Sequence, residues 1–308
     1  MPVLLRYAAF AEVPSGGNPA GVVLDAGALG ASRMQSIATA VGYSETAFLT
    51  PLGAGRHRVR YFSPEAEVPF CGHATVASAV ALFREKQLRS LVFETGVGDV
   101  PVSVSDDGGV PVATLTSVTP RIETASPELL AEALAALGWR EDALDPALPV
   151  RVAFAGARHL ILAAATRDRL RALEYDFERL RTAMLAHDLT TVDLVWRETQ
   201  TVFHARNPFP VGGVIEDPAT GAAAAAFGAY LRALELVPTP ADVVVLQGED
   251  MGRPGRLAIG IDADPASGIR VGGTAVPMAP AEPVSRFEAD VAGNRAANVA
   301  AETSTCAP

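Results

Sequence analysis

Short apolar or alternating runs, bounded by Gly, Pro and Ser, dominate the first 118 residues and predict β-strands. One helix interrupts them over residues 31–42, and Gly42 closes it. Most neighbouring strands are expected to be antiparallel. The strand candidates read VLLRYAAF, AGVVLDA, ETAFLT, HRVRYFS, SLVFETGVG and VATLTSV.

The pattern changes near residue 118, where we place a domain boundary. The next helix is predicted from Ser126 as N-cap, Pro127 at the first helical position and Gly138 as terminator. The expected units are an N-terminal half-barrel of residues 1–118 joined by a returning segment near 276–288, a C-terminal half-barrel of residues 119–275, and a polar, Ala-rich tail of residues 289–308 that is expected to be disordered.

The second half repeats the plan of the first. It contains strand candidates and a helical pair over residues 167–187. In each half a strand leads through a loop into a helix of small residues, RVRYFSP to PFCGHATVASAVALF and VFHARNPFP to EDPATGAAAAAFGAYL. When these stretches are laid on one another, Cys71 falls opposite Pro218.

Helices so poor in large side chains are unusual at a protein surface, because a surface helix needs bulky residues to bury area. They suit a central position, where a curved sheet approaches from all sides. We therefore predict an α+β fold of two similar half-barrels, related by a pseudo-twofold, each wrapped around one helix. The two helix N-termini are expected to face each other across an interdomain cleft, where they can hold a carboxylate with about 0.3–1 kcal/mol per contact.

Composition narrows the class of protein. The chain has 308 residues, of which 49% are hydrophobic, enough for two domains. Acidic residues outnumber basic ones by 35 to 25 and no basic block occurs, so nucleic acid is not an expected partner. No signal peptide or membrane-spanning run is visible, so no membrane partner and a cytoplasmic location are expected. Cys71 and Cys306 are the two cysteines, and no structural disulfide is expected.

Two polar residues interrupt the apolar stretch before the first small-residue helix. His73, placed two residues before the expected helix start, is either a hydrogen-bonded packing residue or a catalyst. Cys71 is either a small buried hydrophobic residue or, since a helix N-terminus lowers the pKa of a thiol, a base. The sequence alone leaves both alternatives open.

Asp217 has a structural and a functional interpretation. Followed by Pro218, it has the pattern of a helix N-cap, which stabilises a helix by about 1 kcal/mol. If the two helix starts meet, however, Asp217 meets His73 there, and a third group nearby would complete an acid–base set.

Glu45 is the candidate for that third group. Strand alternation over residues 44–50 puts it on the apolar face of Ala47 and Leu49, where desolvation raises the pKa of a carboxyl group. The alternative is an exposed Glu at the first residue of an edge strand.

The sequence supports a metal site or a nucleotide-binding site less well than it supports an acid–base set. The four candidates include metal-ligand types, but there is no HExxH and no paired CxxC motif. Neither a phosphate-binding P-loop nor a strand-linked GxGxxG occurs. No metal and no cofactor are expected.

Six ordered motifs over nearly the full chain together resemble the PhzF family of phenazine biosynthesis-like isomerases, in the diaminopimelate epimerase superfamily. The resemblance implies a diaminopimelate epimerase-like fold, a homodimer, an active site between the domains, and catalysis without a cofactor. The motifs are GGNPAGVVL at 16–24, SETAFL at 44–49, RYFSPEAEVPFCGHAT at 60–75, EDPATGAA at 216–223, QGEDMGRPG at 247–255 and VGGTAVPM at 271–278.

By motif position, Glu45 resembles the family's general acid–base, with His73 and Asp217 as its partners. In the best-known members the substrate is trans-2,3-dihydro-3-hydroxyanthranilate, a small carboxylate of secondary-metabolite (antibiotic) biosynthesis. Asn18 is a possible binding residue. Candidates for holding the substrate carboxylate through backbone N–H groups are Gly72, Ala74, Thr75, Thr220, Gly221 and Ala222.

The chain departs from its relatives at two places. Pro218 opposite Cys71 removes the second thiol that superfamily racemases use, which argues against an epimerase. Ala222 stands where the family commonly has Ser, which leaves the substrate open; a cyclic amino-acid-derived intermediate fits the same residues. Two alternatives from other classes remain, a small-molecule binding protein without turnover and a thiol-based enzyme centred on Cys71.

Overall fold

A computed structural model describes residues 2–288 of the chain. The strands are Val3–Ala9 (β1), Asn18–Val23 (β2), Glu45–Gly53 (β3), Arg56–Phe62 (β4), Glu67–Val68 (β5), Ser90–Thr95 (β6), Gly98–Asp107 (β7), Val110–Thr116 (β8), Arg121–Thr124 (β9), Arg151–Phe154 (β10), Arg158–Ala163 (β11), Thr191–Arg197 (β12), Val202–Phe209 (β13), Val214–Asp217 (β14), Ala241–Gln247 (β15), Gly255–Ile261 (β16) and Arg270–Pro283 (β17). The helices are Ala31–Val41 (α1), Gly72–Lys86 (α2), Pro127–Leu137 (α3), Arg167–Arg171 (α4), Phe177–Ala186 (α5) and Gly221–Ala233 (α6). The expected tail at 289–308, with Cys306, lies outside the described residues.

The order of strand pairing repeats between the two halves. β1 pairs antiparallel with β2, β2 parallel with β3, and β3 antiparallel with β4. β10, β11, β12 and β13 pair in the same order and with the same directions. In each half the chain then passes through the central helix into a strand that pairs parallel with an earlier one. β6, after α2, pairs with β4, and β15, after α6, pairs with β13. The predicted duplication and the two half-barrels are confirmed.

The two central helices are buried almost throughout. Residues 72–83 of α2 are all buried, and in α6 the same holds for Gly221 and for residues 223–231. Because most of these side chains are small, strands of the surrounding sheet approach each helix closely, and one continuous apolar core joins the two halves. The helices α3, α4 and α5 pack outside this barrel over a second core, and α1 over a third.

Predicted helix boundaries outside the barrels are confirmed. α1 ends at Gly42 in the left-handed conformation. In α3 the Ser126 side chain accepts a hydrogen bond from the Leu129 amide, Pro127 is the first helical residue, and Gly138 ends the helix. The helical pair expected over 167–187 is formed by α4 and α5. Among the helices of residues 2–288, none combines the length and the apolar character needed to cross a bilayer.

The starts of the two central helices differ from the prediction. α2 begins at Gly72, so His73 is its second residue instead of preceding it. Asp217 is the last residue of β14, where its backbone pairs with Asn207 of β13. The N-cap interpretation of Asp217 is therefore wrong, because the turn into α6 needs the residues that follow it.

Thr220 is the N-cap of α6, as Cys71 is of α2. Counted from the helix starts, Cys71 therefore corresponds to Thr220 rather than to Pro218. Neither alignment gives the second half a thiol at this place.

The last strand connects the halves. Residues 270–272 of β17 pair with β16, and the strand continues along β8 and β1 of the first half up to residue 283. The exact domain boundaries, near 118 and at 275–276, stay a prediction.

Candidate active site

Glu45 is the first residue of β3, and protein surrounds it on nearly all sides. Ala47 and Leu49 share its face and belong to the core around α2, whereas Phe48 packs on the opposite side with α1. The predicted alternation is confirmed. β3 has β2 on one side and β4 on the other, so the edge-strand interpretation is wrong. The Glu45 side chain keeps 11% of its surface exposed.

His73 lies beside Glu45 at the start of α2. Its Nε2 is 3.4 Å from Glu45 Oε2 and 3.3 Å from Ser44 Oγ. Its Nδ1 is 3.1 Å from Nδ2 of Asn18, an amide nitrogen that only donates. Because Nδ1 accepts, the hydrogen-bond network assigns the imidazole proton to Nε2, next to Glu45 and Ser44.

Asp217 joins the site from the second half. Asn18 Nδ2 donates to Asp217 Oδ1 at 2.7 Å, so one amide group contacts both Asp217 and His73. Thr220 Oγ1 donates to Asp217 Oδ2 at 2.7 Å. The predicted meeting of His73 and Asp217 therefore takes place, with Asn18 between them.

Two further residues of the site, Ser44 and Gln247, were not predicted from the sequence. Ser44 contacts His73 and lies 3.5 Å from Asn18 Oδ1. Gln247 is buried; its Nε2 donates to the Asp217 carbonyl at 2.7 Å and its Oε1 accepts from the Thr220 amide at 2.9 Å. The available signal was the position of Gln247, which opens one of the six motifs.

Burial shifts the pKa of each of the three predicted catalytic groups in the direction that favours its neutral form. It raises the pKa of Glu45 to about 7, and the charge of Asp217 adds to this. It raises the pKa of Asp217 to about 6, against the hydrogen bonds from Thr220 and Asn18. It lowers the pKa of His73 to about 3, so the imidazole is neutral at physiological pH.

The Cys71 thiol contacts both Glu45 and His73. Its Sγ lies 3.4 Å from Glu45 Oε2 and 3.3 Å from His73 Nδ1. Burial, together with the Glu45 charge, raises the pKa of this thiol well above its ordinary value. The expectation that the helix N-terminus lowers it is wrong, because desolvation outweighs the helix dipole here.

The donor atoms of Glu45, Cys71 and His73 lie within 4.8 Å of one another, a spacing that admits a small cation. Cysteine binds metals as the thiolate, the form that burial disfavours at Cys71. The expected absence of a metal stays a prediction.

A second buried carboxyl group occupies the matching place in the other half. Glu45 stands opposite β2 in the parallel pair, and Asp193 stands opposite the corresponding strand β11. Asn207 Nδ2 donates to Asp193 Oδ1 at 3.0 Å. Thr191 links Asn207 to His159 through hydrogen bonds of 2.7 and 2.8 Å. Burial raises the pKa of Asp193 to about 7.

The tips of α2 and α6 are in direct contact through two glycines, whereas the sequence predicted two helix N-termini facing each other across a cleft. A Cβ atom added at Gly72 would lie 3.1 Å from Cα of Gly221 and 3.1 Å from the backbone nitrogen of Ala222. Glycine at this position therefore lets the two backbones approach without a tight contact to a side chain.

Gly72→Ala is therefore expected to destabilise the protein. The added methyl group meets backbone atoms that move only if a whole helix moves, and such overpacking costs about 1–3 kcal/mol of unfolding free energy. Urea unfolding measures the change. Gly30→Ala is the matched control, since a Cβ there meets nothing within 4 Å. An unchanged unfolding midpoint for Gly72→Ala would contradict the close contact.

A cleft of about 670 Å³ lies between the two halves, a usual size for a small-molecule site. Of the predicted site residues, Glu45 lines the cleft, with Ser44 next to it, whereas His73 and Asp217 are buried behind it. Its walls come from segments within residues 42–45, 63–70, 154–158, 188–190 and 209–214.

Two of the expected substrate-binding residues, Thr75 and Thr220, use their amides inside the protein, and their binding role stays a prediction. The Thr75 amide and hydroxyl both donate to the Cys71 carbonyl, at 3.1 and 2.7 Å, and the Thr220 amide is bonded to Gln247. These donors are already used inside the protein. The remaining candidates stay predictions; they are Asn18, Gly72, Ala74, Gly221 and Ala222.

Sequence comparisons match the chain to one family over most of its length. A model of the family described as phenazine biosynthesis-like protein matches residues 7–281. An uncharacterized isomerase of Deinococcus radiodurans is 35% identical over 289 residues, covering 88% of this chain and 92% of the relative. The trans-2,3-dihydro-3-hydroxyanthranilate isomerase of Pseudomonas aeruginosa is 33% identical over 253 residues, covering 81% and 86%.

Structural comparisons agree. A PhzF-family phenazine biosynthesis protein of Bacillus anthracis superimposes with a TM-score of 0.81 at 28% identity, covering 90% of this chain and 97% of that chain. A probable proline racemase of Agrobacterium radiobacter has a TM-score of 0.65 at 10% identity, covering 92% of each chain. The second likeness is one of fold alone, and the diaminopimelate epimerase-like fold is confirmed.

Proposed function

The chain belongs to the family of phenazine biosynthesis-like (PhzF) proteins and is an isomerase, and from this premise we propose that it moves a proton between two carbons of a small carboxylate substrate. The catalyst is Glu45, acting as general base and then as general acid, without a cofactor. One observation carries the proposal. Glu45 is a largely buried carboxyl group with a small exposed surface on the cleft, and burial raises its pKa to about 7.

The reaction balances with a single carboxyl group. The Glu45 carboxylate takes a proton from carbon, and the electron pair of the broken C–H bond enters the conjugated system of the substrate. Protonated Glu45 then returns the proton to another carbon on the same face and is regenerated. A pKa near neutrality suits both steps, because both forms of the group are populated at the operating pH.

His73 and Asp217 support Glu45 in different ways. Neutral His73 places its Nε2 3.3 Å from Ser44 Oγ and 3.4 Å from Glu45 Oε2, and Ser44 in turn hydrogen-bonds the Glu45 carboxyl group and favours its ionised form. Asp217 fixes Asn18, which in turn holds His73 through Nδ1. Both residues are thus partners that orient the base from behind.

The proposed substrate is a small ring-bearing acid such as trans-2,3-dihydro-3-hydroxyanthranilate, the compound in the name of the Pseudomonas aeruginosa relative. Aromatic side chains in the cleft walls suit a planar ring. A homodimer, a cytoplasmic location and a role in secondary-metabolite biosynthesis belong to the same proposal. The aromatic residues are Tyr43, Phe70, Phe154 and Phe209.

Proton NMR in D₂O tests the proposal. The protein is incubated with trans-2,3-dihydro-3-hydroxyanthranilate, and isomerisation with deuterium entering the product is the expected result. Binding without turnover would instead indicate a binding protein. Absence of binding would contradict this substrate and call for other small cyclic acids in the same assay.

The pH dependence of kcat/KM follows from the state of Glu45. The base must be ionised in the free enzyme, and its pKa is raised to about 7. We therefore expect kcat/KM to fall about tenfold per pH unit well below pH 7 and to level off above it. Steady-state rates from pH 5 to 9 at constant ionic strength measure this. A midpoint near 4.5, the ordinary value of a glutamic acid, would contradict the assignment.

A further inference from the structure

We infer that Cys71 is a positioning residue for Glu45: its thiol holds one carboxyl oxygen against the tip of α2 and leaves the opposite side of the group for the substrate. The inference rests on the proposed function and deepens it, since it gives Cys71 a task that is neither packing nor nucleophilic attack.

The contacts of the Glu45 carboxyl group with α2 converge on a single oxygen. Cys71 Sγ and His73 Nε2 each lie 3.4 Å from Oε2. Both groups approach from the buried side, because Cys71 and His73 are themselves 6% and 3% exposed. Glu45 also lines the cleft with its small exposed surface, so the side of the carboxyl group away from α2 is the side available to the substrate.

The direction of the thiol hydrogen bond follows from its neighbours. Sγ has two kinds of acceptor within reach, Glu45 Oε2 at 3.4 Å and His73 Nδ1 at 3.3 Å. Nδ1 is also approached by Asn18 Nδ2, whose two hydrogens are shared among Nδ1, Asp217 Oδ1 and the Ala219 carbonyl. Because burial raises the pKa of Cys71, the sulfur carries its proton, and the ionised Oε2 of Glu45 is the stronger of its two acceptors.

The place of Cys71 in the helix supports the same conclusion. It is the N-cap residue of α2, a position where Ser, Thr, Asp and Asn are preferred because their side chains bond the first free amides. The Cys71 side chain makes no regular capping bond, and although the Ala74 amide interacts with the sulfur, a thiol is a weak acceptor. The contact with Glu45 is therefore the stronger reason for a thiol at this position.

The test compares wild type with Cys71→Ala and Cys71→Ser. A hydrogen bond to the ionised form favours that form, so Cys71→Ala should move the midpoint of the kcat/KM pH profile upward by about 0.5 to 1 pH unit. The value of kcat should fall about threefold to tenfold, with KM nearly unchanged. Cys71→Ser, which restores a donor, should recover most of both values.

Ser78→Ala is the matched control. Ser78 is another buried residue of α2, and its hydroxyl has no hydrogen-bond partner among the described residues. Its removal perturbs the helix without touching Glu45. If Cys71→Ala keeps the wild-type pH profile and kcat, the inference is overturned and Cys71 is a packing residue only. Loss of all activity in folded Cys71→Ala and Cys71→Ser would also overturn it, in favour of thiol chemistry.

A readout without substrate separates this inference from the proposed function. Infrared difference spectra between each Cys71 form and the same form carrying Glu45→Gln report the ionisation of the Glu45 carboxyl group directly. An upward shift of that titration in Cys71→Ala supports the positioning role even if the tested acid is not turned over. An unchanged titration contradicts the role, whatever the activity.

Discussion

Glu45→Gln is expected to abolish proton transfer while leaving ligand binding nearly intact. The amide keeps the shape of the side chain but cannot take a proton from carbon at any pH in the assay range. Removing a positioned general base costs about 100-fold to 10,000-fold in rate. The measurement is deuterium incorporation from D₂O, with ligand affinity determined separately by calorimetry.

Glu65→Gln is the control for this experiment. Glu65 also lines the cleft but is exposed, and it belongs to a different wall. It should retain the wild-type rate. If Glu45→Gln stays active while Cys71→Ala is dead, the acid–base assignment is reversed and the thiol becomes the catalyst. Weak binding by Glu45→Gln would instead mean that the carboxyl group contributes mainly to affinity.

Asp193→Asn is expected to stabilise the protein at pH 8. The folded state raises the pKa of Asp193 from its ordinary 3.8 to about 7, so this group favours folding below about pH 4 and that contribution is lost as the pH rises through 7. At 1.36 kcal/mol per pKa unit, the loss is on the order of 4 kcal/mol. Asparagine keeps an oxygen that accepts from Asn207, and it carries no charge at any pH.

Urea unfolding at pH 5 and pH 8 measures the difference. Asp193→Asn should gain up to about 4 kcal/mol over wild type at pH 8 and much less at pH 5. Asp242→Asn, in the exposed part of β15, is the control and should show no comparable pH-dependent gain. A destabilised Asp193→Asn at pH 8 would mean that the ionised carboxylate is needed by its hydrogen-bond network.

The fold could be predicted from the sequence because two features occur in both halves. The first is the order of a strand, a loop and a helix, and the second is the small-residue composition of that helix, which fits only a central position. The alternation of polar and apolar residues around Glu45 also predicts its buried face. These are local patterns, which short-range sterics and burial enforce.

The parts that could not be predicted depend on pairings between distant segments. The helix start at Gly221 is set by the pairing of Asp217 with Asn207, which no capping pattern reveals. Asp193 lies in an apolar run, and its likeness to Glu45 emerges only from strand register. Gln247 reaches the site because β15 runs beside β13.

The glycine contact between the two helix tips also ties together the two halves of the site. Gly72 lies between Cys71 and His73, which contact Glu45, and Gly221 follows Thr220, which bonds Asp217. The separation of Glu45 from Asp217 therefore depends on how closely the two backbones approach. A side chain at either glycine would act as a wedge that moves the groups supporting the base apart.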